Sequence, residues 1–159
     1  MTQSNSDILL VAMNARYSHC AFAARSLIAN LGALAPRASL LECDLEITPL
    51  QLAQRILARS PRVVSFTTYL WNVRLAEATA RILRRVSPSV RLVAGGPELT
   101  ADYPHADLFD TMIVGEGESA LRAFCESVLT DEALAKPLVC RRGTGILPVF
   151  HGRDAHVTR

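Results

Sequence analysis

Polar and glycine-rich residues gather at four points where an apolar run ends. Asn14, Ala15, Arg16, Tyr17 and Ser18 follow the first such run, and Thr67, Thr68 and Tyr69 follow a later one. Gly95, Gly96, Pro97 and Glu98 end a third, and Gly115, Glu116, Gly117 and Glu118 end a fourth. Where a loop of this kind enters a helix, its backbone N–H groups can hold a phosphate or amide oxygen. Small hydroxyl residues at a strand end leave room for a flat ligand and offer hydrogen bonds. Paired glycines permit close backbone approach or positive φ. One set alone is an ordinary turn; four on one edge would make a binding site.

Bond-making chemistry has little support. Glu98, Glu116 and Glu118 are acidic residues near helix starts, where carboxylates are routine. His19 beside Cys20 suggests a nucleophile and its base, but sequence neighbours at a helix start point apart. His105, His151 and His156 lack ligand spacing, and Cys20, Cys43, Cys125 and Cys140 are too scattered for a zinc or iron–sulfur site. No catalytic residue and no metal ligand is assigned. A dinucleotide fingerprint needs three spaced glycines that the first loop does not have, and there is no P-loop. Leu70 and Trp71 are expected to pack on the helix that follows them.

The elements that would position these loops alternate. Residues 8–13 form a continuous apolar run, as expected of a strand buried on both faces. A helix is expected from Ser18, with Ala24, Leu27, Ile28 and Leu31 inward and Gly32 near its end. Residues 39–43 read as the second strand. Thr48 caps a helix with Pro49 at its first position and Leu52, Ala53 and Ile56 buried. Residues 62–67 are the third strand, followed by a helix whose inner face is Val73, Ala76, Ala80 and Leu83. Residues 90–94 and 111–114 are the fourth and fifth strands. The last helix, about 118–129, carries Leu121, Phe124, Cys125 and Val128 on one face. Strands separated by helices imply a parallel sheet. The expected fold is α/β: a doubly wound five-stranded parallel sheet in three layers, with the flavodoxin-like order 2-1-3-4-5. Loops leaving strands 1, 3 and 4 would then surround one crevice.

Bulk properties agree with one soluble domain of 159 residues, half of them hydrophobic. No run approaches the ~20 apolar residues of a membrane span, and the polar start lacks a signal-peptide pattern, so a cytoplasmic location with reduced cysteines is expected. Residues 1–135 carry 12 Arg against 14 Asp plus Glu, whereas Lys136, Arg141, Arg142, Arg153 and Arg159 face only Asp154 in the remainder. The near-neutral main part argues against a nucleic-acid surface. From about Lys136 no period continues. Residues 136–159 are read as a disordered or repeat-derived tail on a 1–135 domain, which would make the chain a truncated product.

The runs ILLVAMNARY (8–17), VSFTTYLWN (64–72), LVAGGPE (92–98) and IVGEGE (113–118), taken together, resemble the N-terminal cobalamin-binding domain of cobalamin-dependent radical SAM proteins. The resemblance covers roughly residues 7–130, and the Gly-Gly-Pro-Glu and Gly-Glu-Gly-Glu elements are its most specific part. It implies cobalamin as cofactor. It also implies a following barrel, absent here, in which an iron–sulfur cluster cleaves S-adenosylmethionine, so this chain alone would not be catalytic. By motif position, Thr67, Thr68 and Tyr69 would line a slot for the cofactor's nucleotide tail, with clearance from Gly95 and Gly96. Residues 14–18 and 115–118 would close the corrin side. Cobalamin domains that supply a histidine to cobalt carry Asp-x-His-x-x-Gly after strand 1. Here His19 falls one place late, without the Asp or the Gly, so it is not assigned as a cobalt ligand.

Competing readings are the cofactor-binding half of a split enzyme, acting with a separate radical SAM barrel protein, and a non-catalytic interaction domain. A receiver domain fits poorly, because Asn14 and Thr67 stand where acidic residues are needed. A flavin phosphate loop fits 14–18 only loosely.

Overall fold

The computed structural model describes residues 6–15, 21–130, 138–140 and 146–148. In chain order the elements are β1 (Ile8–Asn14), α1 (Phe22–Ala29), β2 (Ala38–Asp44), α2 (Pro49–Leu57), β3 (Val63–Thr67), α3 (Val73–Val86), β4 (Arg91–Gly95), β5 (Thr111–Ile113), α4 (Glu118–Leu129), β6 (Leu138–Cys140) and β7 (Ile146–Pro148). The sheet runs β2-β1-β3-β4-β5-β6-β7. Its first five strands are parallel in the expected order. β6 continues parallel to β5, and β7 folds back antiparallel on β6. The sequence pattern predicts no strand past residue 136, because three-residue strands are too short to show a period. The side chains of β6 and β7, the rest of the proposed tail, and the expected helix start at Ser18 lie outside the described residues.

β1 and β3 are buried along almost their whole length, as continuous apolar strands covered on both faces must be. Alternation divides their side chains between two cores. Leu9, Val11, Met13, Val64, Phe66, Leu92 and Ala94 pack against Leu52 and Ile56 of α2 and Ala76, Ala80 and Leu83 of α3. Ile8, Leu10, Ala12, Val63, Val93 and Ile113 meet Ala24 of α1 and Leu121, Phe124 and Cys125 of α4. Three layers result, with α1 and α4 on one face and α2 and α3 on the other. Leu129 takes the deep position on α4, leaving Val128 only partly buried.

Between β4 and β5 there is no full helix. Gly96, Pro97 and Pro104 deny that stretch a helical period. A single 3-10 turn over Ala106–Leu108 closes the crossover, with Leu99, Leu108 and Phe109 buried on the α3 side. Asp110 then fixes the base of the sheet. It accepts from the Leu92 N–H at 2.7 Å and pairs with Arg84 at 2.8 Å and Arg91 at 3.2 Å.

Thr48 caps α2 as its sequence predicts. Its hydroxyl accepts from the Gln51 N–H at 3.3 Å, and the Gln51 side chain accepts from the Thr48 N–H at 3.0 Å. Thr48→Ala is expected to lower stability by about 1 kcal/mol in urea denaturation, with an unchanged denaturant slope.

Candidate functional site at the carboxyl ends of the strands

β1 and β3 are neighbours, yet the chain leaves them toward opposite faces, to α1 and to α3. This is the topological switch point, where open α/β sheets bind ligands. The described parts of all four sequence-marked loops lie along this edge. Arg16, Tyr17 and Ser18 lie outside the described residues, as do His19 and Cys20.

Parallel register sets Ala12, Thr67, Gly95 and Ile113 side by side across β1, β3, β4 and β5. Paired residues of a sheet share a face, and Ala12 and Ile113 place this row on the α1/α4 side. Its first three members are small. A Cβ added at Gly95 would meet only Ile113, at 3.6 Å from its Cβ and 3.7 Å from its carbonyl oxygen, which is ordinary contact. Ala12 and Thr67 are buried, and Gly95 is half-buried at the rim.

Gly96 is required for a different reason. Its φ is +142°, and a Cβ there would lie 2.0 Å from the Thr68 carbonyl oxygen. The clearance expected there for a ligand tail is taken by the neighbouring loop. Thr68 completes the clasp: its N–H and its hydroxyl both donate to the Gly95 carbonyl, at 2.7 and 3.0 Å. The Thr67 hydroxyl donates to Val11 O at 3.3 Å. Both hydroxyl protons are therefore committed to main chain, and the two threonines contribute small size more than donors.

Leu70 and Trp71 do not pack on α3. Leu70 is 76% exposed and Trp71 49%, and the indole stacks on Tyr69 with centroids 4.7 Å apart and planes 2° from parallel. Asn72 turns the chain inward immediately after them, so the pair stands at the loop tip. Asn14 and Ala15 at the end of β1 are half-buried; Pro97 is exposed and Glu98 half-buried. Gly115, with φ +98°, and Glu116 are exposed. Gly117 lets α1 approach α4, since a Cβ would sit 3.1 Å from Leu27 Cδ2. Glu118 accepts from the Ser26 hydroxyl at 3.3 Å, joining the same two helices.

Several positioning contacts escape a sequence reading because their partners are remote. Glu42 on β2 accepts from the Ala21 N–H at 3.2 Å and from Arg25 at 2.6 Å. It thus caps α1, whose own N-cap residue has no capping side chain. Tyr103 donates to the buried carboxylate of Glu77, fastening the loop after β4 onto α3. Burial, and then this bond, push the tyrosine hydroxyl well above its ordinary range. Burial likewise raises the Cys43 thiol to about 11 and Cys125 to about 12, so neither is a thiolate at neutral pH. Among the described residues no group of three or more His, Cys, Asp or Glu could hold a metal ion, and no helix is long and apolar enough to cross a membrane.

The small-residue row and the exposed aromatic loop tip thus lie at the switch point of a doubly wound α/β domain, where such sheets hold their ligands. The chain belongs to the B12 binding domain family, whose model matches residues 8–125. It is 32% identical over 105 residues to the 2-(S-pantetheinyl)-carbapenam-3-carboxylate methyltransferase of Streptantibioticus cattleyicolor, covering 60% of this chain and 14% of that protein. It is 33% identical over 94 residues to the cobalamin-dependent radical SAM methyltransferase TokK of Streptomyces tokunonensis, covering 53% and 13%. The chain thus spans only about one seventh of the length of these curated relatives. In fold it is similar to a cobalamin-binding protein from Desulfitobacterium hafniense, at TM-score 0.58 and 9% identity, covering 78% of this chain and 59% of that one. The methanol:cobalamin methyltransferase complex MtaBC of Methanosarcina barkeri is similar at TM-score 0.58 and 10% identity, covering 78% and 46%.

Proposed function

We propose that this chain is a cobalamin-binding module that seats the cofactor across the carboxyl ends of β1, β3 and β4. The observation that carries this reading is the small-residue row Ala12, Thr67 and Gly95, set at the switch point on the face that α1 and α4 cover. The row suits a long, narrow tail inserted between sheet and helices. Tyr69, Leu70 and Trp71 offer an apolar flank to a wide flat ring, and Asn14, Ala15 and the 115–118 loop lie along the same rim. Arg16, Tyr17 and Ser18 join the site by motif position. Glycine at 95 gives the tail its clearance, and Gly96 shapes the wall by admitting the Thr68 backbone. Cobalamin, when bound, supplies a cobalt centre that carries a transferable group; the chain's residues hold and orient the cofactor.

The substrate chemistry is assigned to another domain or protein of the radical SAM kind, which would hold the iron–sulfur cluster and S-adenosylmethionine. Two observations support this. The chain matches only a small part of its methyltransferase relatives. Four of the five exposed large hydrophobics among the described residues, Phe22, Leu50, Leu70 and Trp71, lie just beyond strand carboxyl ends. Apolar side chains concentrated on one edge mark a contact surface.

Paired calorimetric titrations with hydroxocobalamin and with cobinamide, which lacks the nucleotide tail, test the seating. Cobalamin is expected to bind at least about 10-fold tighter, or ~1.4 kcal/mol. Equal affinities would remove the tail slot from the proposal.

A further inference from the structure

Asn72 is 1% exposed and follows directly on the exposed Leu70 and Trp71. It stands at the N-cap of α3, yet its side chain makes no cap bond. Instead its carboxamide Nδ2 donates to Met13 O and to Thr67 O, both at 3.0 Å. Its Oδ1 accepts from the Tyr69 N–H at 2.8 Å. The assignment of nitrogen and oxygen is unambiguous, because the flipped amide would set its oxygen against two carbonyls. Two donors and one acceptor at this spacing are what a carboxamide supplies. Aspartate would lack the donors, and serine would fall short.

These three bonds join the ends of β1 and β3, the two strands that flank the switch point, to the first residue of the loop tip. The same tip bears the Tyr69–Trp71 stack, whose rings would otherwise gain by turning inward to bury their apolar area. We infer that Asn72 is a positioning residue that presets the crevice, fixing the separation of the β1 and β3 ends and holding the aromatic pair on the rim. Rigid presentation of an exposed wall lowers the ordering cost of binding. The affinity part of this inference rests on the crevice being the cobalamin site; the placement of Trp71 in the free protein does not.

Trp71 is the only tryptophan in the chain and reports on the loop directly. In Asn72→Ala, with far-ultraviolet circular dichroism unchanged, acrylamide quenching of Trp71 is expected to rise roughly two-fold as the tip loosens. Hydroxocobalamin affinity is expected to fall on the order of 10- to 100-fold, since a buried network with three bonds is removed. Thr48→Ala serves as a control that lowers stability without touching the loop, and it should move neither readout. Unchanged quenching in a folded Asn72→Ala protein overturns the inference, whatever the affinity. Altered quenching in a protein whose parent binds no cobalamin supports the positioning role and sinks the cofactor assignment instead. Should Asn72→Ala fail to fold, amide exchange of the parent decides. The Tyr69 N–H is expected to be protected at least ~100-fold, and exchange at the rate of an open chain overturns the inference.

Discussion

Gly96→Ala is expected to cost at least about 3 kcal/mol and to lower the melting temperature by roughly 10 °C or more. Two independent penalties meet at this residue. A φ of +142° is one that L side chains rarely adopt, and the added Cβ would lie 2.0 Å from the Thr68 carbonyl oxygen and 2.9 Å from the Thr68 nitrogen. Those atoms are backbone and cannot swing aside as a side-chain end could. Relief requires parting the loops after β3 and β4, which breaks the two bonds from Thr68 to the Gly95 carbonyl. Differential scanning calorimetry of the purified variant measures this directly. A melting point within a few degrees of the parent would show that the clasp between the two loops is not tight.

Gly95→Trp is expected to act in the opposite way, leaving the fold intact and abolishing cofactor binding. The backbone at this position has no special φ, and its Cβ direction meets only Ile113 at ordinary contact distance. An indole there would project from the row it shares with Ala12 and Thr67, where the cofactor tail is assigned. The predicted loss of hydroxocobalamin affinity is at least about 100-fold, or ~2.7 kcal/mol, whereas Gly95→Ala should bind nearly as the parent does. Adjacent glycines that look alike in sequence are thus assigned two roles: one admits a neighbouring loop, and the other is proposed to clear the cofactor tail.

What the sequence makes legible here follows from period and register. α4 spans Glu118–Leu129 as its spacing predicts, because Leu121, Phe124 and Cys125 repeat at helical intervals against one core. The order 2-1-3-4-5 follows from the alternation of buried runs with amphipathic helices. Leu70 and Trp71 depart from the expected packing on α3, since a rule that buries large apolar residues has no term for a loop tip pinned outward by Asn72. That asparagine is itself invisible as a positioning residue, because Met13 lies 59 positions away and the groups it bonds on Met13 and Thr67 are backbone carbonyls, which no side-chain pattern marks. Glu42 and Tyr103 escape notice for the same reason: each acts on an element far along the chain. The need for glycine at 96 was visible, but its cause lies across the sheet edge at Thr68.

The most direct measurement is an absorbance titration of the folded parent protein with hydroxocobalamin, run beside Gly95→Trp. Saturable one-to-one binding by the parent, lost in the folded Gly95→Trp variant, is the predicted result and places the cofactor over the Ala12–Thr67–Gly95 row. Equal binding by the two proteins, or no binding by a folded parent, would contradict it.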